Sequence, residues 1–193
     1  GSGGSADFSY ALVRYGGDDN ICCGQSRANV YNNGGTLSIA NSTTSNSSVY
    51  GIKTASGTTT IVETAIADNG SRGILQSGGV TTVASSTISN NVFGIDASGG
   101  TLSVSNTTFS GNPSGAATIS SGVSTFSHTN NFATSTGKKF LMTGNISADR
   151  SWSADNIPFV IDNQITIEAG KTLTIGPGTV VKLSSNNAWL QVS

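Results

Sequence analysis

Charge is scarce in this chain. Of 193 residues only 10% are charged: nine Lys plus Arg against ten Asp plus Glu, for a net charge of −1. So low and balanced a charge argues against nucleic acid or an anionic membrane surface as partner, because either needs a basic face. No run of 18 or more apolar residues occurs, so membrane insertion through an apolar helix is not expected. No signal peptide opens the sequence, and Gly1–Ser5 reads as a linker or cloning scar. Histidine appears once, as His128. Cysteine appears twice, as the adjacent pair Cys22 and Cys23. Neighbouring Cα atoms lie ~3.8 Å apart, short of the ~4.4–6.8 Å usual across a disulfide. Bonds from Cys22 or Cys23 to other chains, or free thiols, are therefore easier than mutual pairing.

What the chain has instead is Ser, Thr, Asn and Gly in a repeating order. The segment Gly-Gly-Thr-Leu-Ser-Ile ends at Ile39, and its last position recurs as Ile61, Val83, Val104 and Phe126, at steps of 22, 22, 21 and 22. Ile66, Ile88 and Phe109 follow the middle three by five residues. Further columns are Ser42/Thr64/Ser86/Thr107/Thr129, Asn69/Asn91/Asn112 and Gly51/Gly73/Gly94/Gly115. After those glycines stand Ile52, Ile74, Ile95 and Ala116, and Val30 extends that column one coil back.

Inside each repeat the apolar residues alternate, as in Thr101-Leu102-Ser103-Val104, which is the pattern of a strand. Ser, Thr, Asn and Gly are poor helix formers, and Gly-Gly and Asn-Asn pairs between the strands supply turns. Such a unit cannot bury its apolar face alone, but a stack of units can. The Leu-x-x-Leu-x-Leu ladder of leucine-rich repeats is missing. The expected fold is all-β, a right-handed parallel β-helix (a solenoid) with coils of about 22 residues. Residues 6–140 form its coils, with an insertion at 18–25, and residues 141–193 form further coils.

Three stretches resemble the bacterial extracellular right-handed β-helix superfamily, with its pectate-lyase-like architecture. They are Ala11–Gly17, the repeated Gly-Gly-Thr-Leu-Ser-Ile/Val followed by Asn-Ser/Thr-Thr, and the tail from Trp152 to Leu183 with Ile165–Ile167, Leu173–Ile175 and Val180–Leu183. The resemblance implies a secreted or cell-surface protein and an architecture shared by lyases, hydrolases, adhesins and stalks. In similar proteins a segment like Trp152–Leu183 opens a β-helix and one like Tyr10–Gly17 follows it. Here the order is reversed, as in a window on a tandem array, a permuted unit or a self-stacking fibre.

Cleavage of polysaccharides needs clustered carboxylates. Aligned by the repeat, Glu63 falls with Asn41, Ser85, Asn106 and His128, Asp68 with Asn46, Asn90 and Gly111, and Asp96 with Lys53, Leu75 and Ala117. No two carboxylates meet on adjacent coils, so no catalytic residue is expected. Asp18, Asp19 and Asn20, in the insertion, offer oxygen ligands for calcium, although their spacing matches no calcium-loop signature. No other cofactor is expected.

Two outward hydroxyl ladders are expected: Thr36/Thr58/Val80/Thr101/Val123 and Ser38/Thr60/Thr82/Ser103/Thr125. Regular Thr arrays of this kind raise ice binding as one reading, against ordinary exposed strand positions. Tyr50, Arg72 and Phe93 form another column, read as a cation–π stack, a sugar platform or a stripe shielding the sheet edge. The functional expectation is a structural or adhesive segment of a secreted or surface fibre, partnered by further copies stacked head to tail. A carbohydrate-binding or polysaccharide-cleaving module is the alternative, and ice binding a second.

Overall fold

The computed structural model describes residues 3–17, 27–131, 139–154 and 157–193, with backbone alone at 124–125 and 127–131. Every regular element among them is a strand, and every pairing is parallel. The longest column runs Val30, Ile52, Ile74, Ile95, Ala117, Phe140, Phe159, Val181. These eight rungs make about seven turns of a β-solenoid with coils near 22 residues.

Each full coil contributes to three sets of stacked strands. The first set holds Ser5–Ser9, residues 36–40 and 58–62, Val80–Ala84, and residues 101–105. The second holds Leu12–Arg14, Thr43–Ser45, Ala65–Ala67, Thr87–Ser89, and residues 108–110. The third carries the eight-rung column. Strands Ala28–Ala40 and Tyr50–Val62 run through the corner from third set to first without a break.

Corners follow from backbone sterics. Asn41, Glu63, Ser85 and Asn106 all adopt left-handed φ between 48° and 49°, and they turn the chain from first set to second. Asn46, Asp68, Asn90 and Gly111, with φ of 53°, 56°, 55° and 62°, end the second. Asn, Asp and Gly tolerate this region better than other residues. At the third corner Gly57, Gly79 and Gly100 have positive φ, and a Cβ on each would lie 2.1–2.4 Å from the carbonyl oxygen of the glycine one coil before. Coils pack too closely there for any side chain.

The core lies inside the coils. Ile39, Ile61, Val83 and Val104 form one inward column, Ile66, Ile88 and Phe109 a second, and Ile52, Ile74 and Ile95 a third, all buried. Each such side chain contributes roughly 1.5–3 kcal/mol through burial. Ile165–Ile167, Leu173–Ile175 and Val181–Leu183, eight residues apart, are successive sides of one late turn.

Polar ladders line the same interior. The backbone N–H of Ser47, Asn69 and Asn91 donates to Oδ1 of Asn69, Asn91 and Asn112 respectively, at 3.0–3.1 Å. Ser42, Thr64, Ser86 and Thr107 are buried beside the first corner, each hydroxyl donating to the carbonyl two residues earlier. The glycine column explains itself here, because a Cβ on Gly51 or Gly73 would meet Asn69 Nδ2 at 2.8 Å or Asn91 Nδ2 at 3.0 Å.

The 22-residue register slips where Gly100–Ser110 meets Val123–Asn131. Gly100 pairs with Val123 but Thr101 with Thr125, so Ser124 is an extra residue that the repeat count does not anticipate. Phe126 therefore aligns with Leu102, not Val104, and His128 aligns with Val104 rather than with the Glu63 corner. Thr129 aligns with Ser105, not Thr107. A slip of two preserves the side of the strand, and Phe126 still packs against the core, half-buried. On the third set the coil keeps 22 residues, so Ala117, not Ala116, continues the Ile95 column, and Thr118 rather than Ala117 follows Asp96.

Candidate functional surfaces

Thr36, Thr58, Val80 and Thr101 stand in register on the outside of the first set, and Ser38, Thr60, Thr82 and Ser103 stand beside them. Parallel strands put ~4.8 Å between rungs and about 6.6 Å between the two columns. Thr36, Thr58 and Val80 are exposed, and Ser38, Thr60, Thr82, Thr101 and Ser103 are half-buried. The bulge changes the last rung. Thr125 falls in the Thr101 column instead of the Ser103 column, and Val123, expected in the outer column, is fully buried opposite Gly100.

Tyr50, Arg72 and Phe93 are consecutive rungs of one outer column of the third set. The Arg72 guanidinium carbon lies 6.0 Å from the Tyr50 ring centre and 5.5 Å from that of Phe93. Nε of Arg72 also donates to Asp96 Oδ2 at 2.9 Å. The arrangement is a cation–π stack tied to a carboxylate, and the guanidinium covers one face of each ring. A parallel pair lies nearby, Lys53 Nζ standing 4.9 Å from the centre of the Tyr31 ring directly across the strands. The partnership of Arg72 with Asp96 escapes a column-by-column reading, because Asp96 lies three residues beyond Phe93.

Arg150 is a second interaction that no repeat position announces. Its Nη2 donates to the carbonyls of Ser120 and Ser121, at 3.2 and 2.9 Å, and to that of Val123. One cation thus satisfies the turn that leads into the bulged strand. Desolvation by burial lowers the Arg150 pKa from its ordinary value.

The two ends of the stack carry exposed apolar side chains. Tyr10, Leu12 and Tyr15 are exposed at one end, and Ile175, Leu183, Leu190 and Val192 at the other. A cavity of about 490 Å³ opens at the first end among Phe8, Val30, Asn32 and Leu37. Asp18, Asp19, Asn20, Cys22 and Cys23, the calcium and interchain-bond candidates, lie outside the described residues. Among the described residues no group of three His, Cys, Asp or Glu side chains comes together.

No protein-family model, curated protein or solved structure matches this chain.

Proposed function

We propose that this chain is a structural or adhesive segment of a secreted or cell-surface fibre, continued end-on by further coils. The observation that carries the reading is the axial run of main-chain pairing on the third set. Among the described residues its first strand segment, 28–33, and its last, Val181–Leu183, each pair on one side only. Open parallel edges are templates for another strand, whether from more of the same polypeptide or from a second copy. A head-to-tail contact of this kind is heterologous and does not close on itself. The solenoid is right-handed in this reading, as crossovers between parallel strands of one sheet almost always are. Kinship with the bacterial extracellular, pectate-lyase-like β-helices rests on the resemblance of the repeated stretches. Electron microscopy of the purified chain tests the proposal: filaments or short rods support it, and single unassociated particles at every concentration oppose it.

The in-register hydroxyl columns favour a second reading, ice binding through the outer side of the first set. Thermal hysteresis that is lost when Thr58 and Thr60 are both replaced by Lys supports it, and no hysteresis in the parent chain removes it.

A further inference from the structure

The corner where the third set meets the first is polar inside for three rungs and apolar beyond them. One inward column reads Asn32, Thr54, Gln76 and then Ala97, Ile119, Met142. The column facing it across the turn reads Leu37, Thr59, Thr81, Leu102. Thr54, Thr59, Gln76 and Thr81 are all 0% exposed, and Asn32 is buried. Polar groups so placed need partners, and nearly all in folded proteins have them.

On the first two rungs the partners are present. Asn32 Nδ2 donates to Thr59 Oγ1 at 3.0 Å and to the Thr58 carbonyl at 2.9 Å, while Asn32 Oδ1 accepts the Gly35 N–H at 2.9 Å. Thr54 and Thr59 face each other across the corner and their hydroxyls meet at 2.9 Å. One rung on, Gln76 and Thr81 occupy the same two positions. The Gln76 amide nitrogen donates to the Thr101 carbonyl at 3.1 Å and to the Gly79 carbonyl at 3.4 Å. Those two acceptors fix which way the amide points, since a flipped amide would set its oxygen against both carbonyls. Gln76 Oε1 and Thr81 Oγ1 are left with no protein partner.

From these two orphaned oxygens we infer a binding site for one ordered water molecule inside the solenoid, bridging Gln76 Oε1 and Thr81 Oγ1. The chemistry is complementary: the amide oxygen only accepts, so the water donates to it, while the Thr81 hydroxyl donates to the water or accepts from it. A buried water needs a polar site with at least two partners, and this rung supplies two where the rung before it supplies a direct hydroxyl pair. The next rung closes the site, because Ala97 and Leu102 are apolar and fully buried. The site involves neither end of the stack, so it stands or falls apart from end-on assembly.

A crystal structure of the chain at a resolution that shows ordered solvent tests this directly. The expected result is a density peak within hydrogen-bond distance of both Gln76 Oε1 and Thr81 Oγ1. No peak there, or a direct bond between the two side chains, overturns the site. Melting of Thr81→Val gives an independent sign. With the water present, Thr81→Val removes one of its two partners and lowers Tm by about 2–4 °C. In a dry corner Thr81→Val removes an orphan and raises Tm, which also overturns the site. If Thr81→Val does not fold, the crystal density of the parent chain decides alone.

Discussion

Asn91 holds Asn69 from one coil away: its Oδ1 accepts both the backbone N–H of Asn69, at 3.1 Å, and the Asn69 side-chain amide, at 2.9 Å. Its own amide donates to the Ser89 carbonyl at 2.9 Å and to the Ile66 carbonyl at 3.2 Å. Asn91→Ala strands all of these groups in a buried setting. With ~1–3 kcal/mol for each unsatisfied group and partial relaxation, we expect a loss of about 3–5 kcal/mol by denaturant titration. A loss under about 1 kcal/mol would mean that the ladder does not hold the coils.

The left-handed corners give a prediction of the opposite sign. Glu63 and Ser85 occupy positions where φ is 48°, which Asn and Gly adopt more easily. Glu63→Gly relieves ~1–2 kcal/mol of strain against ~0.5–1 kcal/mol of chain entropy. A net gain of about 0.5–1 kcal/mol should appear as a raised Tm, and Ser85→Asn should move the same way. Asn41→Val should lower Tm.

Register on the third set is tested by two neighbours. Ile74 is fully buried and Leu75, beside it, is half-buried on the outer side. Ile74→Ala should cost about 2–5 kcal/mol and Leu75→Ala less than about 1 kcal/mol. Similar losses at both positions would contradict the register.

Arg72 bonds Asp96 and covers Tyr50 and Phe93 at a half-exposed site. Arg72→Met should therefore cost only about 1 kcal/mol. Added salt should shrink the coupling between Arg72→Met and Asp96→Asn in a double-mutant cycle, because screening weakens the ion pair.

Much of this architecture is legible in the amino-acid order. Ile39, Ile61, Val83 and Val104 repeat because one inward column needs one kind of residue per coil, and that regularity gives the fold class and the strand faces. The slip at Phe126 does not show in the 22-residue count, because Ser124 extends the coil by bulging, and its one trace in the sequence is the three-residue spacing of the two inward residues Val123 and Phe126. Asn69 and Asn91 read equally well as exposed turn residues, and only their burial shows that they are a ladder. Thr59 and Thr81 fall on the inward side of their strands by alternation with Thr58, Thr60 and Thr82, but nothing in the hydroxyl run shows that they face Thr54 and Gln76 across the corner. Polar residues inside a solenoid defeat hydrophobic patterning, since their partners lie a whole coil away in sequence. Of the candidate surfaces, the hydroxyl columns were legible up to Thr101, whereas the clasp of Arg150 on the turn at Ser120 and Ser121 follows no repeat and had no signal.

In the proposed fibre the stack continues through its open ends. Leu190 and Val192 form part of the last strand, whose outer edge and side chains are exposed. Sedimentation velocity across a concentration series, on the parent chain and on Leu190→Lys/Val192→Lys, measures it most directly. The expected result is species that grow with concentration for the parent and a shift toward monomer for the double variant, with unchanged β-sheet content. A parent chain that sediments as a monomer at every concentration, indistinguishable from the variant, would contradict it.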